Sequence, residues 1–186
     1  FSYGAPEMSL MSAAMASLSH YYRRPCFGTA GCSDSKLPDS QAAAEATYSC
    51  FSPSLSGSNM IHDSGLLDHG SMVSPAFMVL VSEILEMIKH YMRGIPVNDD
   101  TLALEIIHKV GPGGHFIAEK HTVDHHREVW YSNLFDRSLY DTWLERGGRR
   151  FQERLIEQTQ ATMDHQPELL PEDKQKELEK MATYWK

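Results

Sequence analysis

Two short stretches decide the fold of this chain: Pro25-Cys-Phe-Gly-Thr-Ala-Gly31 and Ser58-Asn-Met-Ile-His-Asp63. Each is apolar, too short for a helix, and stops at glycine or a polar cluster, so each reads as a buried strand running into a turn. Around them the pattern is helical. Residues 6–21 open with Pro6 and Glu7, which suit a first helical turn, and repeat Met8, Met11, Met15 and Leu18 at a spacing that would face a core. A second helix starts near Pro38, has Asp39 in its first turn and an alanine-rich body, and ends at Pro53 and Gly57. A third runs over 75–93 behind the N-cap pair Ser74 and Pro75, with Phe77, Val81, Leu85, Ile88 and Met92 as its buried stripe and Gly94 as its stop. Strands alternating with helices predict parallel βα units, an α/β fold that is mainly helical by content.

Two parallel strands do not make a stable sheet alone, because both faces and both edges need cover. The first residue is Phe1, not Met. Together these lead us to expect the rest of a sheet or barrel upstream. After Gly94 the character changes to a helical extension. It holds a short amphipathic helix over 99–110 with Leu102, Ile106 and Ile107 on one side, the sharp loop Gly111-Pro-Gly-Gly114, and from His121 a polar, helical remainder anchored by Trp130, Leu134, Trp143 and Leu144. The last 35 residues are charged, with a break from Pro167 to Pro171 before a helix near 172–185.

Composition narrows the function. The 186 residues carry 25 acidic and 17 basic side chains, a formal charge of -8, which argues against a nucleic-acid or anionic-membrane surface. A hydrophobic share of 41% supports a real core. No apolar run approaches the roughly 20 residues of a bilayer span. No basic segment precedes an apolar one as in a signal peptide. Three cysteines are too few and odd in number for a disulfide framework, so a reducing compartment, the cytoplasm, is expected. The phosphate-cradling and dinucleotide glycine patterns are both absent.

Functional side chains of parallel α/β folds sit at the carboxyl ends of strands. After the first strand comes Gly31-Cys-Ser-Asp-Ser-Lys36, where Cys32, Asp34 and Lys36 offer a nucleophile, a carboxylate and a cation. The alternative is a loop that caps the next helix through Asp34 and Ser35. The second strand ends in Asn59-Met-Ile-His-Asp63, where His62 and Asp63 could orient a ligand or exchange a proton. The competing reading is a core histidine beside a turn-capping aspartate. His121 and His125 lie four apart, on one helix face, followed by His126. Such spacing can hold a transition metal, but the Glu of H-E-x-x-H is missing, so they read as surface or interface histidines and no metal is assigned. Tyr3, Tyr21, Tyr22, Tyr48 and Phe51 could form a cage for a quaternary ammonium, although aromatics at helical spacing are more often core.

At these motifs the sequence resembles the trimethylamine methyltransferase family. The matching strings are Y-G-A-P-E at 3–7, G-T-A-G-C-S-D-S-K at 28–36, P-D-S-Q at 38–41 and L-S-G-S-N-M-I-H-D-S-G at 55–65. T-L-A-L-E at 101–105, V-G-P-G-G-H-F at 110–116, H-T at 121–122, Phe135-Asp-Arg137 and Asp141-Thr-Trp143 continue the match, which stays in register over roughly 1–160. The resemblance implies a TIM (β/α)8 barrel, of which residues 1–95 would be the last βα units, about two strands, and 96–186 a C-terminal extension. It implies transfer of a methyl group from a methylated amine to the cobalt of a corrinoid (cobalamin) bound by a separate corrinoid protein, and a homo-oligomer. It carries over His62 and Asp63 as catalytic positions and Cys32, Asp34, Lys36, Asn59 and His115 as substrate-binding ones. The branch acting on trimethylamine carries pyrrolysine near the loop after residue 31. Ordinary residues stand here, Cys32 the nearest equivalent, so a quaternary amine such as glycine betaine is the better expectation. Two other classes stay open: a non-catalytic truncated fragment acting only as a binding or interaction module, and a histidine-rich metalloprotein.

Overall fold

The computed structural model describes residues 2–185. Helix α1 (Pro6–Tyr21) leads into strand β1 (Phe27–Thr29), helix α2 (Ser40–Leu55) and strand β2 (Met60–His62). β1 and β2 pair in parallel, with Phe27 opposite Met60, Gly28 opposite Ile61 and Thr29 opposite His62. The expected βα units are therefore present. A hairpin follows, β3 (Leu66–Leu67) antiparallel to β4 (Met72–Val73) around a 3₁₀ turn at Asp68–Gly70, and then helix α3 (Pro75–Met92). The hairpin was not expected, because two residues per strand give no periodicity to read.

α3 is the centre of the core. Phe77, Leu80, Val81, Ile84 and Ile88 are buried on it, against Ala42, Ala46 and Cys50 of α2 and Ala30 after β1. Ser74 caps the helix by accepting the Phe77 amide at 3.2 Å. Met92, expected in the stripe, is exposed, since it lies in the last turn beyond the packing surface. One face of the β1–β2 pair packs on this core through Gly28 and Ile61. The opposite face carries Phe27, Thr29, Met60 and His62, and both Phe27 and Met60 are about 60% exposed (61% and 60%).

Two helices depart from expectation. The methionine stripe of α1 faces outward: Met11, Met15 and Leu18 are exposed, and the buried positions are Ser9, Ser12 and Ala16. Small side chains allow α1 to lie close on α2, close enough for Ser52 Oγ to donate to the Ser9 carbonyl at 2.8 Å. In α2, Asp39 is the N-cap rather than a first-turn residue and accepts the Ala42 amide at 3.0 Å. Pro53 does not end the helix but lies inside it, two residues from its end, where its missing amide hydrogen forfeits one bond only.

The extension is less regular than expected. The helix over 99–110 is two pieces, α4 (Asp99–Leu102) and α5 (Leu104–Val110), broken at Ala103 with φ +48°. α6 (Lys120–His125) passes through a 3₁₀ turn into an irregular segment up to α7 (Tyr140–Glu145). α8 (Phe151–Met163) brings Leu155 onto α3 beside Leu134, so the core of residues 1–95 continues into the extension. α9 (Glu172–Tyr184) closes the described chain and buries no residue. Trp130 and Trp143 are half-buried, whereas Leu144 is exposed. No helix among the described residues is long and apolar enough to cross a membrane.

Candidate functional site

The loops at the carboxyl ends of β1 and β2 are joined by main-chain bonds that prolong the parallel pairing. The Ala30 amide donates to the His62 carbonyl at 3.1 Å, the Gly65 amide to Gly31 at 2.8 Å, the Ser33 amide to Leu66 at 2.9 Å and the Asp68 amide to Ser35 at 3.0 Å. Gly31 is required at the turn. Its φ is +73°, and a β-carbon there would sit 2.7 Å from Val81 Cγ1 and 2.9 Å from Ser64 Oγ.

Asp34 is tied down from three directions. Its Oδ2 accepts the Ser2 hydroxyl and the Gly4 amide, the latter at 3.1 Å. Its own amide donates to Glu45 Oε2 at 2.9 Å, and Ser33 Oγ donates to the same oxygen at 2.5 Å. Burial favours the neutral Glu45 carboxyl, but the Ser33, Gln41 and Asp34 donors outweigh it and hold the pKa below the usual value. Asp34 Oδ1 is buried and lies 2.9 Å from His69 Nδ1, a contact off the hydrogen-bond direction, so this oxygen accepts no hydrogen bond. His69, with φ +54° in the hairpin turn, was not picked out by the sequence. Nothing in its neighbours signals that a turn would place it over a residue 35 positions earlier.

The second strand contributes a histidine–aspartate pair. His62 Nδ1 is 2.9 Å from Asp63 Oδ2, and Nε2 is 3.4 Å from Thr29 Oγ1 across the strands. The His62 ring stacks on Phe27 with centroids 4.5 Å apart. Lys36 Nζ donates to the Asp34 carbonyl at 2.8 Å and lies 3.4 Å from Asp68 Oδ1. The hydrogen bond from Ser71, then Lys36 and His69, hold the Asp68 carboxyl below its usual range. The structure thus brings Asp34, Lys36, His62 and Asp63 to one end of the strand pair, with the Lys36 and His62 side chains open to solvent.

The remaining expected positions lie elsewhere. Cys32 is buried beneath the loop, and burial followed by the Asp63 charge pushes its thiol up to about 12. It is a protonated core side chain here, not a thiolate facing the open surface. Asn59 precedes β2, at the opposite end from His62, and its Oδ1 accepts the Cys26 amide at 2.8 Å. His115 is exposed on the loop between α5 and α6, outside this cluster. The aromatics do not converge into a cage: Tyr21 pairs with Tyr22, Phe51 with Tyr91, and Tyr21, Tyr22 and Tyr48 are exposed rather than core. In the extension, one ligand atom each from Asp100, His121 and His125 lies within 4.8 Å of the others.

Two carboxylates, an imidazole and an ammonium at the strand ends can hold a small charged molecule with both signs of charge. The phosphate patterns are missing and no thiolate is available, so nucleotide binding and thiol chemistry have no support from these residues. The family model for trimethylamine methyltransferase matches residues 1–184. The chain is 39% identical over 170 residues to the trimethylamine methyltransferase MttB of Desulfitobacterium hafniense, covering 91% of this chain and 34% of that protein. It is 40% identical over 149 residues to MttB of Methanosarcina thermophila and 38% over 146 residues to a glycine betaine methyltransferase of Desulfitobacterium hafniense, covering 78% and 77% of this chain and 30% of each relative. The chain spans about a third of the length of the curated relatives it matches. With a match from the first residue to within two of the last, and with the expected βα units in place, the chain belongs to the trimethylamine methyltransferase family.

Proposed function

We propose that this chain supplies the substrate-holding end of a methyltransferase that acts on a methylated amine, a quaternary one in preference to trimethylamine. The observation that carries this reading is the half-buried Asp34 carboxylate, whose covered Oδ1 lies against His69 and accepts no hydrogen bond. A quaternary ammonium has no N–H to offer and is held by charge and ring faces instead. Asp34 and Asp63 supply the charge, and Phe27, stacked on His62, supplies an exposed ring on the same sheet face as that histidine. Lys36, exposed beside Asp68, suits a substrate carboxylate of the betaine type.

The reaction asks little acid–base chemistry of these residues. The N–CH₃ bond breaks, the electron pair stays on nitrogen, and the positive charge of the quaternary amine disappears as it leaves. No proton has to move, so His62 orients through Asp63 and Thr29 rather than acting as an acid. The methyl acceptor is a corrinoid carried by a second protein, and its cobalt(I) supplies the nucleophile. The open strand ends, with His62 and Lys36 reachable from solvent, leave room for that protein to approach. Binding, alignment and exclusion of water are then the tasks left to this chain.

The bare sheet face supports a barrel. Parallel sheets are covered on both faces, and here the face with Phe27, Thr29, Met60 and His62 lacks cover among the described residues. In a closed (β/α)8 barrel that face points inward, with α2 and α3 in the outer ring and residues 96–186 as the appended extension. The free, buried thiols fit a reducing compartment such as the cytoplasm.

The test is methyl transfer by the full-length protein, with a reduced corrinoid protein as acceptor and the corrinoid absorbance as readout. Glycine betaine, other quaternary amines and trimethylamine are offered separately. Transfer from a quaternary amine that falls in Asp34→Asn supports the reading. Transfer only from trimethylamine overturns the substrate preference, and no transfer from any methylated amine overturns the function.

A further inference from the structure

We propose that Asp100, His121 and His125 form a binding site for a divalent first-row transition ion, with Zn²⁺ as its natural class of occupant, that staples α6 to α4. This goes beyond the methyl-transfer reading and does not depend on it. The three residues come from two short helices separated by seventeen residues of chain, 103–119. The turn spacing of His121 and His125 puts both rings on one face of α6, with centroids 4.1 Å apart. Both rings then direct the same nitrogen to the same residue. His125 Nε2 is 3.2 Å from Asp100 Oδ2, and His121 Nε2 is 3.9 Å from Asp100 Oδ1 and 2.8 Å from the Asp100 carbonyl oxygen.

The outer contacts are those of a ligand histidine. His125 Nδ1 lies 2.7 Å from Glu128 Oε1. A carboxylate on the far nitrogen fixes the tautomer, leaves Nε2 with its lone pair toward Asp100 and makes it a better donor. Two imidazoles and one carboxylate are the donor set that suits zinc and its neighbours rather than calcium or magnesium. With one ligand atom each within 4.8 Å of the others, an ion at ordinary bond lengths can reach all three after small side-chain movements. Asp100 and His121 also border an open cleft of about 460 Å³ that Asp99 and Glu105 line, which leaves the fourth position to water. No thiolate competes, since Cys26, Cys32 and Cys50 are buried in the other half of the chain.

The ion's task is structural. It closes the chain between residues 100 and 121, and that segment carries α5 and the Gly111–Gly114 loop. These pieces bury none of their own residues, so little else in their packing fixes them.

The experiment is titration of the metal-stripped protein with Zn²⁺ by calorimetry, and with Co²⁺ by visible absorbance. One ion per chain, a Co²⁺ spectrum of tetrahedral or five-coordinate nitrogen–oxygen type and a rise in Tm with Zn²⁺ are expected. Asp100→Asn and His125→Gln should abolish the binding, and Glu128→Gln should weaken it about tenfold to a hundredfold. Asp100 and Glu128 are exposed and His125 is half-buried, and circular dichroism checks that each variant folds. Absence of stoichiometric binding overturns the proposal. So does unchanged affinity in Asp100→Asn and His125→Gln, which would move the ion to other histidines.

Discussion

His62 Nδ1 and Asp63 Oδ2 lie 2.9 Å apart although the two residues are neighbours in the chain. The contact exists because Asp63 adopts φ +70°, a left-handed turn that swings its side chain back along the strand end. Such a backbone costs an aspartate about 1 kcal/mol or more relative to glycine. Asp63→Gly should therefore leave stability within about 1 kcal/mol of the parent, because relief of strain offsets the added freedom of the unfolded chain. It should still lower methyl transfer by at least about tenfold, the cost of roughly 1.4 kcal/mol of lost positioning. Parallel urea titration and kinetics of the full-length protein test this. A variant that keeps full activity removes the pair from the site.

Gly31 is a backbone requirement of a different kind. A side chain there meets Val81 Cγ1 and Ser64 Oγ at 2.7 and 2.9 Å and must also accept φ +73°. Val81 is fixed in the core on α3, and Ser64 is held in its turn by a bond to the Ala30 carbonyl at 3.4 Å, so neither yields easily. Gly31→Ala should cost about 2–4 kcal/mol, from strain and overpacking together. A shift in the urea midpoint at unchanged slope is the expected signature, and a change under about 0.5 kcal/mol would show that the turn relaxes.

The inward face of α1 yields a paired expectation. Ala16 is fully buried, whereas Met15 beside it is 55% exposed. Ala16→Leu should separate α1 from α2 and destabilise the chain by about 1–3 kcal/mol. Met15→Gln should change stability by about 0.5 kcal/mol at most. Reversed magnitudes would mean that the methionines face a core after all. Thermal unfolding of this chain separates the two outcomes.

The same helix shows how far sequence reading reached. The parallel strands and α3 were legible because glycine turns, the Ser74–Pro75 cap and a strong apolar stripe all pointed to one answer. The buried face of α1 was not, because it is built from serine and alanine, which carry no hydrophobic signal, while the methionines supplied a false one. The gathering of Asp34, Lys36, His62 and Asp63 at one end of the strand pair was legible from their place at and after the strand ends. Asn59 was placed wrongly because period-two alternation says which side a residue takes but not which end of the strand it occupies. His69 and Asp100 were invisible, since each joins its partners only through a turn.

Asp39 supplies an expectation with a definite pH sign. It caps α2 by accepting the Ala42 amide at 3.0 Å and also accepts the Ser35 hydroxyl at 3.0 Å. The Ala42 amide, the larger influence, holds its carboxyl below the ordinary value of 3.8. Between the folded and ordinary values the unfolded chain binds more protons than the folded one, so stability rises with pH there. The contribution is fully present above the ordinary value and is lost as pH falls through the folded one. Asp39→Ala should therefore cost about 1 kcal/mol at neutral pH, and the gap from the parent should narrow as the solution is acidified below the ordinary carboxylate range. Asp39→Asn keeps a good cap without the titration, so it should stay near the parent at neutral pH and lose less on acidification. Urea unfolding of the three proteins from neutral to acidic pH measures this. A gap between Asp39→Ala and the parent that widens in acid would show that the charged carboxylate is not what caps the helix.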